Sequence, residues 1–169
     1  MPVTINGDGS ITGLSVGGLG SGVVNTATLA DGAASGSKLT MPTGSVIQTV
    51  QSVKTAIDSH STGSSTVSDS YFDISGLSVT LTPSSGSKCF ISYTVNIGGE
   101  TGYDGGIALL RGSTQIYLGD AASNRQRLSS YYVIDAGHKT YGASGQFLDT
   151  HGANGSTAVT YKLQMYVAT

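Results

Sequence analysis

Thr157-Ala158-Val159-Thr160-Tyr161-Lys162-Leu163-Gln164-Met165-Tyr166-Val167-Ala168 is the most regular stretch of the chain, with Val159, Tyr161, Leu163, Met165 and Val167 at every second position. Thr160, Lys162, Gln164, Tyr166 and Ala168 stand between them. Successive Cβ atoms of an extended chain leave opposite faces, so this period of two reads as a strand with one face packed. A helix would scatter the same side chains around its circumference.

The period recurs upstream. Leu77, Val79 and Leu81 alternate with Ser78, Thr80 and Thr82, and Pro83-Ser84-Ser85-Gly86-Ser87 follows as a turn. Residues 88 to 97 predict a strand with Cys89, Ile91, Tyr93, Val95 and Ile97 on one face. Segments 105–110 and 115–118 flank Arg111-Gly112-Ser113-Thr114, a hairpin whose Gly-Ser pair suits a two-residue turn. Residues 127–135 and 144–149 predict two more strands. Ser45 to Val53, rich in β-branched residues, predicts the first. About seven or eight short strands with no amphipathic helix predict an all-β antiparallel sandwich or jelly roll.

Composition agrees and removes several function classes. The 169 residues allow one medium-sized domain with an appendage. Only 11% are charged and the net charge is −2, which offers no electrostatic footprint for nucleic acid. Ser, Thr and 25 Gly fill the space that charges leave, as a turn-rich β protein requires. Cys89 is the lone cysteine, so an intrachain disulfide is excluded, and it reads as a small apolar strand residue. No stretch approaches the roughly 20 apolar residues of a membrane span. Met1 to Gly7 has neither a basic segment nor an apolar run, so the expectation is no secretion signal and assembly in a cytoplasm.

Residues 1–44 have a different texture. Their charges are Asp8, Asp31 and Lys38, and Ile5, Ile11, Leu14, Val16 and Leu19 are interspersed with glycine. Too few apolar side chains are present for one copy to offset the entropy of ordering roughly forty residues. The expectation is an extended segment ordered by sister chains or by a larger particle. Met41-Pro42-Thr43-Gly44 marks its boundary with a domain over 45–169.

Candidate chemistry is sparse. Gly13-Leu14-Ser15-Val16-Gly17 has the spacing of a nucleophile elbow but no helix to follow it. His60, His138 and His151 share no metal-ligand spacing and read as exposed loop residues. Asn6-Gly7-Asp8-Gly9-Ser10 reads as a turn rather than a cation loop. Asp149 beside His151 has no nucleophile to complete a triad, so strand-end solvation is its expected state. Arg111, Arg125 and Arg127 read as surface charges, with inter-subunit ion pairs as the alternative. The expectations are therefore no enzyme, no catalytic residue, no metal and no cofactor. Tyr93, Tyr161 and Tyr166, with Leu163 and Met165, are candidates for subunit contact, because amphipathic rings suit such surfaces; a tyrosine-lined core is the alternative. Tyr103 and Tyr141, in predicted loops, are candidates for stacking on a sugar or receptor.

Thr43-Gly44-Ser45-Val46-Ile47-Gln48, the run Tyr71-Phe72-Asp73-Ile74-Ser75-Gly76-Leu77 through Lys88, Leu110-Arg111-Gly112-Ser113-Thr114 and Phe147-Leu148-Asp149-Thr150 resemble the C-terminal knob of tailed-bacteriophage fibre and decoration proteins. The resemblance covers about residues 43 to 169. It implies a trimeric jelly roll similar to the tumour-necrosis-factor and C1q heads. Gly7 to Leu19 and Thr28 to Ala33 likewise resemble the attachment and short-shaft region of such fibres. Implied partners are the chain itself as a homotrimer, other virion proteins of capsid or tail held through Ile5, Ile11, Leu14, Val16 and Leu19, and a host-surface glycan. The implied location is the virion surface after assembly in the bacterial host cytoplasm. With no long repetitive shaft, a capsid decoration, head fibre or short tail fibre fits better than a long tail fibre.

Overall fold

The computed structural model describes residues 4–8, 11–12, 41–60, 70–99, 101–135, 137 and 139–168. The chain divides into two units, Met1–Gln48 and Thr49–Thr169. In the first, β1 (Thr4–Ile5) pairs antiparallel with β2 (Ile11–Thr12), with a turn at Gly7 and Asp8 between them. Ile5 is exposed, Ile11 stands in β2, and Leu14, Val16 and Leu19 lie outside the described residues.

The second unit is all-β, with no helix among the described residues. Its strands are β3 (Ser70–Leu81), β4 (Cys89–Gly98), β5 (Asp104–Arg111), β6 (Thr114–Ile116), β7 (Ser130–Val133), β8 (Thr140–Asp149) and β9 (Val159–Ala168). One antiparallel sheet runs β3-β9-β5, and the far edge of β5 is shared by β6 and β7. A second antiparallel sheet pairs β4 with β8 over its whole length, from Cys89↔Asp149 to Gly98↔Thr140. One apolar core joins Ile107, Leu109 and Leu163 of the first sheet to Tyr93, Ile97 and Ala143 of the second, as a β-sandwich requires. Cys89, Val159 and Tyr161 form a second cluster.

The alternation of 157–168 becomes β9, placed centrally between β3 and β5. Its inward residues meet Leu109 and Ile107 directly opposite Leu163 and Met165. Cys89, Tyr93 and Ile97 of β4 are buried as expected, and Arg111↔Thr114 closes the expected hairpin with Gly112 at φ 60°. Close packing also uses glycine where two strands carry a tyrosine. Gly145 lies directly across from Tyr93, and a Cβ there would stand 2.6 Å from the ring. Gly105 accommodates Tyr132 in the same way. Each ring covers backbone that its glycine leaves open.

The outer face of the larger sheet is partly roofed. Ala108 and Tyr166 point to that side, yet both are buried. The β6–β7 connection supplies cover, with Leu128 against Gly106 and Gln126 Nε2 donating to Tyr166 Oη at 2.6 Å.

Several strands differ from expectation: β7 is confined to Ser130–Val133, β8 begins at Thr140 and not at 144, and two larger differences concern β3 and Ser45–Val53. β3 starts at Ser70, well before Leu77, because its register slips between Asp73 and Ser78: the extra residues Ile74 to Leu77 oppose a short piece of β9. Ser45 to Val53 is not a strand. The bulge gives β3 an irregular edge that offers no continuous ladder to a neighbour. Residues 49–60 instead form an irregular strap held to that edge by side chains: Ser75 N–H donates to Asp58 Oδ2 at 2.9 Å, and Ser52 Oγ donates to Gly76 O.

Candidate functional site

Three places in the second unit were candidates: the tyrosine-bearing faces, the Asp149 corner and the loop end around Tyr103. Tyr93, Tyr161, Leu163 and Tyr166 are buried inside the unit, so the expectation that they meet another subunit is corrected. Met165 is half-buried opposite Ile107. The tyrosine-lined core is what forms, because each polar tip finds a partner in its own chain. Tyr93 Oη stands 2.7 Å from Ser130 Oγ, and Tyr161 Oη donates to Asp149 Oδ2 at 2.6 Å. Burial, in part countered by the Ser130 hydrogen bond, raises the Tyr93 pKa.

Asp149 ends β8 at 5% exposure, not solvated as expected. Arg111 of the other sheet is its counter-ion: Nη1 donates to Oδ1 at 2.8 Å, to Oδ2 at 2.9 Å and to Thr150 O at 3.2 Å. Arg111 is therefore a clamp between the sheets and not a free surface charge. Burial first, then hydrogen bonds to Asp149 and Cys89, hold the Tyr161 phenol protonated far above its ordinary range. The neighbouring His151 is half-buried: Ala153 N–H donates to Nδ1 at 2.9 Å, which leaves the proton on Nε2 facing Ser87 Oγ at 3.2 Å. With the Asp149 carboxylate held by Arg111 and Tyr161, the corner fastens strands of both sheets.

The loop end is different. Gly102 N–H donates to Ile134 O at 2.8 Å, Ile134 N–H donates to Tyr103 O at 3.0 Å, and Gly137 N–H donates to Thr101 Oγ1. These bonds stitch the β4–β5 and β7–β8 connections together, with the Ile134 side chain seated against Gly99. Tyr103 is 37% exposed on the result, and Tyr131 and Val133 stand exposed on β7 nearby in the fold. Tyr141 opens β8, half-buried, and its hydroxyl donates to Asp135. Tyr131 Oη donates to Asp104 Oδ2 at 2.6 Å; that bond, then burial, raises the phenol's pKa. The arrangement brings Tyr103 and Tyr141 to one end of the unit and adds Tyr131, which sequence reasoning missed. Its strand was legible, but nothing in the alternation told which side the connection after β6 would cover.

Chemically this end can stack a ring and accept hydrogen bonds through Asp104 and Asp135. It cannot pair Asp104 with Asp149 as an acid and a nucleophile. Asp104 begins β5, whereas Asp149 is bound to Arg111 at its other end. Along an extended strand that separation is roughly 23 Å, against the roughly 5–10 Å of glycosidase carboxyl pairs. Among the described residues no group of three or more His, Cys, Asp or Glu is placed to hold a metal ion. His60 stacks on Phe72 with ring centroids 4.6 Å apart; His138 and the Gly13–Gly17 motif lie outside the described residues. No family model, curated protein or solved structure is significantly similar to the chain.

Proposed function

We propose that this chain is a structural component of a bacteriophage particle, a homotrimeric capsid decoration, head fibre or short tail fibre. Its N-terminal segment anchors it to capsid or tail proteins, and the antiparallel β unit is a jelly-roll head facing outward. The observation that carries the reading is the outer face of the β4–β8 sheet. Phe90 and Leu148 are direct partners in that ladder and both are exposed, while every other outward position there is Ser, Thr, Asn, Gln or Gly. A face with apolar side chains and no charge suits burial against an identical neighbour better than permanent solvation. The phage assignment itself rests on the resemblance of residues 43 to 169 to fibre knobs.

Light scattering of the purified full chain at micromolar concentration tests the assembly: a heat-resistant trimer is expected, and stable monomers would refute it. Imaging of particles with the chain labelled then separates capsid from tail.

A second reading, a tip that binds a host receptor or glycan, is favoured by Tyr103, Tyr131 and Tyr141 gathering at the stitched loop end. Glycan-array or cell-adsorption signal lost in Tyr103→Ala and Tyr141→Ala supports it. Absence of adsorption to any host surface leaves decoration as the role.

A further inference from the structure

Burial is inverted along the strap. In an ordinary peripheral segment, apolar side chains turn toward their own chain and charges turn to water. Here Lys54 and Asp58 keep side-chain exposures of only 18% and 25%, whereas Val53 is 71% exposed and Ile57 91%. The inward side is a polar seam. Asp58 accepts from Ser75 N–H, lies 3.6 Å from Lys54 Nζ and 3.6 Å from His60 Nε2, while Ser52 binds Gly76 O. The His60 ring lies flat on Phe72. The Ser75–Asp58 and Ser52–Gly76 bonds and the His60–Phe72 stack fix the strap to β3, the Lys54 and His60 contacts to Asp58 hold the strap's own shape, and Val50, Val53 and Ile57 are left exposed.

We infer that this outward stripe is a contact with a second copy of the chain, a deepening that rests on the homo-oligomer reading above. Charge selects the occupant. Exposed positions of the strap from Val50 to Ile57 carry no charge, because Lys54 and Asp58 are spent inward. Such a stripe offers nothing to steer a charged ligand, nucleic acid or anionic surface. An identical stripe matches it without leaving any charge unpaired, and rotational symmetry brings equivalent stripes together. Area sets the scale. Three such side chains contribute on the order of 350 Å², under half of the roughly 800 Å² that one partner gives to a standard interface. The stripe is thus one part of a larger contact, and losing it weakens association without abolishing it.

The test uses the full chain with Cys89→Ser as background, carrying Val53→Cys or Ile57→Cys, and Ser113→Cys at the exposed β5–β6 turn as reference. A short bismaleimide is added to the assembled protein, and alkylation rates are measured in parallel. The expected result is inter-chain products from positions 53 and 57, alkylation there at least tenfold slower than at 113, and neither effect at 113. Independently, Ile57→Asp should weaken association roughly tenfold or more. An oligomer by light scattering whose cysteines at 53 and 57 react as fast as the reference overturns the inference and leaves the assembly reading standing. A monomer overturns both. Slow alkylation without inter-chain product assigns the cover to the chain's own first unit or to another protein, and that also overturns the inference.

Discussion

At Asp149 three hydrogen bonds from two donors converge on one buried carboxylate: Arg111 Nη1 reaches both oxygens and Tyr161 Oη reaches Oδ2. A carboxylate removed from water must be paired and fully hydrogen-bonded, and removal of one partner leaves the other's desolvation uncompensated. Arg111→Ala is therefore expected to destabilise the fold by about 2–4 kcal/mol in denaturant unfolding. Arg111→Met combined with Asp149→Leu should cost less than Arg111→Ala alone, since both charges go together; a larger loss for the pair would show that the clamp adds net stability. Packing makes an equally local demand at Gly145. A Cβ there stands 2.6 Å from the Tyr93 ring, whose hydroxyl is held by Ser130 and cannot swing aside freely. Gly145→Ala is expected to cost about 1–3 kcal/mol, and Gly145→Ala with Tyr93→Leu should recover part of it.

Among elements, β7 illustrates how burial becomes pH dependence. Tyr132 lies over Gly105, and burial pushes its pKa up from 10.0 to about 12. The unfolded chain ionises near 10 while the folded one does not, so the stability this phenol represents is complete below pH 10 and drains away as pH rises toward 12. Tyr93 and Tyr161 are raised for the same first reason and add to the slope. Thermal midpoints are expected to fall between pH 10 and 12, and less steeply in Tyr132→Phe; parallel slopes would discount Tyr132 as a contributor. At the acid end, Asp73 is held below its ordinary value by hydrogen bonds from Lys162 and then Gln164. Its contribution is present above pH 3.8 and is lost as pH falls through the lowered value, a small effect at so exposed a site. β4, β9 and the Gly112 turn could be read from the chain because a two-sided environment writes alternation into the residues it selects. Ser45–Val53 has the same β-branched content, and misled for that reason: propensity reports a fit to a pleated surface, not the presence of an open strand edge beside it. The bulge at Ile74–Leu77 interrupts that edge. Tyrosines misled through their amphipathic character, which suits an interface and an internally satisfied core equally; only long-range partners such as Ser130 and Gln126 decide. The clamp was invisible because Arg111 and Asp149 stand 38 residues apart and meet only through the pairing of separate sheets.

For the whole molecule, the apolar positions left exposed include Val50, Val53 and Ile57 on the strap, Phe90 with Leu148 on the smaller sheet, and Val133 on β7. They do not reflect a shortage of core, since Ile107, Leu109 and Tyr166 are essentially removed from solvent. In the proposed trimer these residues would be covered, and association would then supply part of the chain's stability. Mass action then makes the midpoint of unfolding depend on concentration. For a trimer that dissociates as it unfolds, a tenfold rise in concentration adds two-thirds of RT ln 10, about 0.9 kcal/mol of chain. With an unfolding entropy of about 0.25–0.35 kcal/mol/K for a chain of this length, the midpoint should climb by about 2–4 °C per decade. Calorimetry over two decades of concentration measures this directly. A flat midpoint would mean that the sandwich is stable alone, and the exposed stripe would then need an explanation other than self-association. A slope retained in Ile57→Asp but shifted to higher concentration would locate the strap within the contact, because a weaker interface needs more protein to reach the same midpoint.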